Sequence, residues 1–118
     1  MDKLRLGIIG VGLAFERLHY PALEKLHHKF DIVALCDPNQ KQLQKWKNIL
    51  NLNQTDLYTD HQEIIKRQDI DAFDILVPIQ QNFQITKTVA AAGKPIICEK
   101  PLAPTKQQAE AARQLTDK

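Results

Sequence analysis

Residues 4–18, LRLGIIGVGLAFERL, join a short apolar run to a glycine-broken turn and then to a helix-like segment. Leu4, Leu6, Ile8 and Ile9 read as a strand buried on both faces. Gly10-Val11-Gly12 breaks the run, and the helical pattern begins at Leu13 with Ala14 beside it. A strand, a glycine turn and a helix in that order make a phosphate-binding corner of the dinucleotide type. Gly10 permits the tight turn. Gly12 leaves room for a pyrophosphate to approach the backbone. The first free N–H groups of the helix, at its partly positive end, then face the phosphates. The motif is incomplete in one place. A small residue is expected three positions after Gly12, where helix and strand pack closely, and the chain has Phe15 there. A bulky group forced into such a contact costs about 1–3 kcal/mol unless the backbone adjusts. The competing reading is an ordinary buried strand and turn with no ligand.

The rest of the chain supports the nucleotide reading. Phe30 to Cys36 forms a second apolar run, and Asp37 ends it. That aspartate lies 22 residues after Phe15, about where such folds place the acid that holds the adenosine ribose. A carboxylate accepts hydrogen bonds from a 2′-OH and repels a 2′-phosphate. Asp37 is followed by Pro38-Asn39 and not by arginine, so it favours NAD, with NADP the less expected cofactor. A turn aspartate in Asp-Pro-Asn explains the residue type but not its distance from the glycines.

Further strands are expected at Leu57–Thr59, Ala72–Val77 and Lys94–Cys98, with helices between them. Asn39 and Gln42 open one helix, whose Leu43, Trp46 and Leu50 share a face. Asp60 and Glu63 open another through Lys66. Pro78 stops the fourth strand, and a helix over Gln80–Ala92 closes at Gly93. A last helix is expected from Thr105. Pro21 is expected to kink or break the first helix near Tyr20, with the helix resuming through Ala22–Leu26. Five alternations of strand and helix imply an α/β, doubly wound parallel sheet of Rossmann type, in the order 3-2-1-4-5, with helices on both faces. Ligands bind such a sheet at the carboxyl ends of its strands, where Gly10, Gly12, Asp37, Val77, Pro78, Glu99 and Lys100 all fall.

Composition narrows the function classes. With 118 residues, 43% apolar and 25% charged, the chain reads as one globular domain with a real core. Its net charge of +2 is spread out; Lys41, Lys45 and Lys47 read as a solvated helix face without the stacking aromatics of a nucleic-acid site. No apolar run is long enough to span a membrane and the N-terminus lacks a signal pattern, so no membrane partner and a cytoplasmic location are expected. His19, His27, His28 and His61 lack a metal-binding spacing, so no metal is expected. Cys36 and Cys98 end strands that the expected order separates by two others. At ~4.8 Å per strand they lie well beyond the ~7 Å limit for a disulfide.

Together these features resemble the N-terminal domain of the Gfo/Idh/MocA family of oxidoreductases (glucose–fructose oxidoreductase and inositol dehydrogenase relatives). The resemblance runs through GIIGVG at Gly7–Gly12, HYPAL at His19–Leu23, Asp37, LYTDHQEII at Leu57–Ile65, Val77-Pro78 and AGKPIICEKPLA at Ala92–Ala103. It implies nucleotide contacts from Gly10, Gly12, Leu13, Ala14, Asp37, Val77, Pro78, Asn82, Glu99 and Lys100. It also implies a catalytic role for Lys100, with Glu99 near the nicotinamide. The family's fourth-strand turn usually reads Thr-Pro with a histidine four residues beyond the proline; Val77 and Asn82 stand at those positions here. The implied activity is hydride transfer between a sugar, inositol or related polyol and a nicotinamide cofactor. A lysine ammonium beside the reacting oxygen would stabilise developing negative charge. Relatives carry a second domain that supplies most of the substrate pocket and the usual oligomer interface. Residues 1–118 are therefore expected to bind the nucleotide and to turn over little or no substrate alone, with an oligomer possible in the full-length protein. A stand-alone nucleotide-sensing or partner-docking module, and a scaffold that binds no nucleotide, are the alternatives.

Overall fold

Five parallel strands form one sheet in the order β3-β2-β1-β4-β5. The computed structural model describes residues 3–98. Strand β1 is Leu4–Ile9, β2 is Phe30–Cys36, β3 is Leu57–Tyr58, β4 is Ala72–Ile75 and β5 is Ile96–Cys98. The expected order holds. Strands β2 and β5 are separated by β1 and β4, and Cys36 is a free, buried thiol. Glu99, Lys100 and the helix expected from Thr105 lie outside the described residues.

Alternation along the strands sorts the core into two layers, because successive residues point to opposite faces. On one face, Leu6, Ile8, Leu35 and Ala72 pack with Val11, Phe15, Leu43 and Trp46. On the other, Ile9, Ala34, Cys36, Phe73 and Ile75 pack with Ile64, Ile85 and Val89. The first face is covered by the helix after the glycine turn and by α2, Gln40–Leu50; the second by α3, His61–Ile64, and α4, Ile79–Ala91. The sheet is therefore doubly wound.

The helix caps follow the sequence closely. The Asn39 side chain accepts from the N–H groups of Lys41 and Gln42, and Asp60 accepts from Gln62. Asn51 ends α2 in the left-handed region at φ 58°, which asparagine tolerates. Helix α3 is shorter than expected, stopping at Ile64 rather than Lys66, and β4 stops at Ile75 rather than Val77. Beyond α3, Arg67 forks onto Asp69 (2.8 and 2.6 Å) and reaches Asp56 (2.9 Å), so side-chain ion pairs hold the connection into β4.

At Pro21 the first helix is irregular but not broken. It runs unbroken over residues 13–25, through a π-helical turn at Phe15–His19 into α1, Tyr20–Lys25. Tyr20 N–H bonds to the Phe15 carbonyl, five residues back. Proline clashes with the carbonyl four residues before it in a regular helix. The wider π turn spaces those carbonyls differently, and Pro21 stands directly after it, at the second residue of α1.

That turn also resolves the bulk of Phe15. Its ring is fully buried and meets Trp46 edge-on at 4.8 Å and Tyr20 at 5.9 Å. Trp46 Nε1–H donates to the Val11 carbonyl (3.2 Å), so the aromatic cluster is tied to the glycine turn. Phe15 thus packs towards α2 and does not wedge helix and strand apart. Lys45, from the basic stretch, pairs with Glu16 of the first helix and lies 5.3 Å from the Trp46 ring. Among the described residues, no helix is long and apolar enough to cross a membrane.

Candidate functional site

The glycine turn sits where the sheet order reverses, between the carboxyl ends of β1 and β4. Gly10 has φ +99°, and a Cβ there would lie 2.2 Å from the Leu76 carbonyl oxygen. Only glycine fits. Its N–H donates to the Cys36 carbonyl (2.8 Å), which binds the turn to the end of β2. Gly12 differs: a Cβ there would meet nothing within 4 Å. Packing does not require glycine at position 12, and the backbone is open to an approaching group. The helix starts at Leu13, directly after this opening, and Glu16 N–H closes its first turn onto the Gly12 carbonyl (3.1 Å), while the first N–H groups of a helix have no partner within it.

Asp37 is the electrostatic centre. Its Oδ2 accepts the Val11 N–H (2.9 Å), and its Oδ1 accepts the Asn39 N–H (2.8 Å). One carboxylate therefore joins the glycine turn to the N-terminus of α2. Each oxygen keeps a further lone pair for a ligand hydroxyl.

A cleft of about 390 Å³ opens at this edge, within the size range of small-molecule sites. Ile9, Gly10 and Gly12 line it from β1 and its turn, Cys36, Asp37 and Pro38 from β2, and Leu76, Val77 and Pro78 from β4. Thus Gly10, Gly12, Asp37, Val77 and Pro78 converge as expected. Leu13 and Ala14 are exposed on the opening turn of the helix, outside the cleft lining. Asn82 is 2% exposed; its Oδ1 accepts from the Thr86 hydroxyl (3.1 Å), and it does not line the cleft. Gln81, one residue earlier, lines it instead. Thr59, His61, Gln81 and Ile85 complete the wall. The sequence reading passed over them, although positions just past β3 and in the first turns of α4 follow from the switch-point rule. A wider groove of 1230 Å³, lined by residues such as Lys3, Arg5 and Asp71, crosses the opposite edge, away from the glycine turn.

Burial pushes the Cys36 thiol in the cleft wall up to about 12, with the Asp37 and Asp60 carboxylates adding to the shift. At pH 8 about one molecule in ten thousand then carries a thiolate there, and the thiolate is the reactive form. Native protein treated with iodoacetamide at pH 8 should leave Cys36 unmodified under conditions that alkylate it in urea, read by peptide mass. Modification at equal rates would mean that this wall opens in solution.

An open glycine backbone at a helix start, a carboxylate with free lone pairs and an apolar cleft beside it match the needs of a dinucleotide. The model of an oxidoreductase family with an NAD-binding Rossmann fold, GFO_IDH_MocA, matches residues 4–118. The chain belongs to this family. It is 34% identical over 114 residues to an inositol 2-dehydrogenase of Agrobacterium fabrum, covering 97% of the chain and 32% of the relative. An inositol 2-dehydrogenase of Klebsiella pneumoniae is 32% identical, with 98% and 33% covered. The crystal structure of an oxidoreductase from Thermotoga maritima superposes with a TM-score of 0.91 at 27% identity, covering 99% of the chain and 36% of that one. The chain thus spans about a third of the length of the curated relatives it matches. In this family the fold is an NAD(P)-binding one, and the geometry around Gly12 and Asp37 fits that ligand class.

Proposed function

We propose that this chain is the nucleotide-binding domain of an oxidoreductase that moves a hydride between a polyol, such as inositol or a sugar, and NAD, used in preference to NADP. The observation that carries the cofactor choice is Asp37. Its carboxylate stands at the end of β2, fixed by two backbone N–H groups, where it would meet the adenosine ribose. Two free hydroxyls satisfy its remaining lone pairs, whereas a 2′-phosphate would bring like charge against it.

Gly10, Gly12 and the helix start at Leu13-Ala14 would hold the pyrophosphate. Val77, Pro78 and the other apolar cleft residues would shield the ring systems from water. The nicotinamide, when bound, supplies the hydride acceptor. The assignments of Lys100 as the group beside the reacting oxygen and of Glu99 near the nicotinamide rest on the family resemblance of the Glu-Lys-Pro element. The polyol class rests on the two inositol 2-dehydrogenases, and a second domain would have to close the substrate pocket. A cytoplasmic setting suits a reaction that draws on the nicotinamide pool.

Calorimetric titration with NAD and NADP tests this reading. NAD should bind at least about tenfold more tightly, a difference of ~1.4 kcal/mol. Equal or tighter NADP binding would overturn the choice of cofactor. No binding of either would overturn the dinucleotide reading itself.

A further inference from the structure

Position 74 should be apolar. It lies in the middle of β4, in register with Ile8 of β1 and Ile97 of β5, and shares a face with Ala72. Yet it is an aspartate, 2% exposed. Burying a carboxylate costs several kcal/mol unless a partner compensates it. Among the described residues His19 faces it, with Nδ1 2.6 Å from Asp74 Oδ2 and 15% of the His19 side chain exposed. Neither residue lines the cleft, and neither enters the nucleotide contacts set out above.

His19 is the last residue of the π-helical turn, and Phe15 is the first. Both ends of that turn are therefore anchored. Phe15 is held in the aromatic cluster against Trp46 of α2, on the β1–β2 side. His19 is held across the sheet on β4, the other strand of the switch point. A helix fixed at two points one turn apart cannot roll about its axis. This same helix opens at Leu13, directly after the open backbone of Gly12, and its first N–H groups have no partner within the helix. Anion recognition by backbone N–H groups depends on their direction as well as their charge, and such sites tolerate displacements of only about 0.5 Å.

We propose that His19 and Asp74 form a positioning pair, which sets the roll of the first helix so that its N–H groups meet the pyrophosphate. The inference rests on the dinucleotide reading of the glycine turn. It explains why a charged group sits in a strand centre that packing alone would fill with an apolar residue.

The test compares wild-type protein with His19→Ala, His19→Asn and Asp74→Leu. NAD affinity is measured by calorimetry, and the thermal midpoint is measured without ligand. An asparagine amide can donate from nearly the place of a histidine Nδ1, so His19→Asn should stay within about threefold of wild type. His19→Ala should lose about tenfold or more in NAD affinity while folded at the titration temperature. Asp74→Leu, which removes the acceptor and leaves an apolar residue, should weaken NAD to a similar extent and stands in if His19→Ala fails to fold. A purely structural pair would lower the thermal midpoint and leave NAD affinity intact, and that result overturns the proposal. So does an equal loss in His19→Asn and His19→Ala. If wild-type protein binds neither NAD nor NADP, the dinucleotide reading falls and the positioning role falls with it. Binding by wild type with insensitive variants removes the positioning role alone.

Discussion

Gly10→Ala should destabilise the fold by about 3–5 kcal/mol, enough to unfold a marginally stable domain. Two costs add. A β-carbon at φ +99° strains the backbone by about 1–3 kcal/mol. That carbon would also stand 2.2 Å from the Leu76 carbonyl oxygen, which belongs to the backbone and cannot swing aside. Relief requires moving the turn away from the end of β4 and breaking the Gly10 N–H bond to Cys36. Gly12→Ala is the matched control. It adds the same methyl group where nothing lies within 4 Å, so its thermal midpoint should stay near that of wild type. Its NAD affinity should nevertheless fall, because the methyl occupies the approach to the backbone. Denaturant melts of both variants, with NAD titrations of those that fold, separate the two roles. A stable Gly10→Ala protein would mean that the turn is not held against β4 as described.

Asp37→Asn should cost about 2–4 kcal/mol of stability and should not convert the protein to NADP use. A carboxylate offers an acceptor oxygen to each of the Val11 and Asn39 N–H groups. An amide offers one oxygen and turns an N–H₂ towards the other donor. Val11 is fully buried, so an N–H left without an acceptor there carries its whole desolvation penalty, about 1–3 kcal/mol. The lost charge–dipole attraction at the start of α2 adds to it. Removing the negative charge eases the approach of a 2′-phosphate, but the same change loosens the turn that would hold the pyrophosphate. Both nucleotides should therefore bind less well than NAD binds to wild type. Chemical denaturation measures the first effect and calorimetry the second. A variant of unchanged stability with strong NADP binding would reduce Asp37 to a charge filter.

The pattern of five apolar runs separated by capped helices was legible along the chain, and with it the sheet order. Asn39 and Asp60 cap the helices assigned to them, and Leu43 and Trp46 are buried on the face their spacing indicated. Gly10, Gly12, Asp37, Val77 and Pro78 meet at one edge because parallel right-handed crossovers bring the carboxyl ends of β1, β2 and β4 together. Phe15 and Pro21 are accommodated by one device: Phe15 departs from the small residue that close helix–strand packing favours and Pro21 from a regular helix, and one π turn absorbs both. Local spacing carries no sign of such a turn, which depends on where the Phe15 ring finds space against Trp46.

The sequence by itself determined the layer architecture, the glycine turn and the acid that follows β2, since periodicity, caps and turn residues act over a few positions. Only the tertiary structure decided what those groups touch. It made Asp37 a clamp on the turn, buried Asn82 against Thr86, brought Gln81 and His61 to the cleft wall, and set His19 against Asp74, 55 residues away. Such contacts arise when the sheet closes and each buried polar group must find a partner within about 3 Å. That requirement acts in space and leaves no period in the chain.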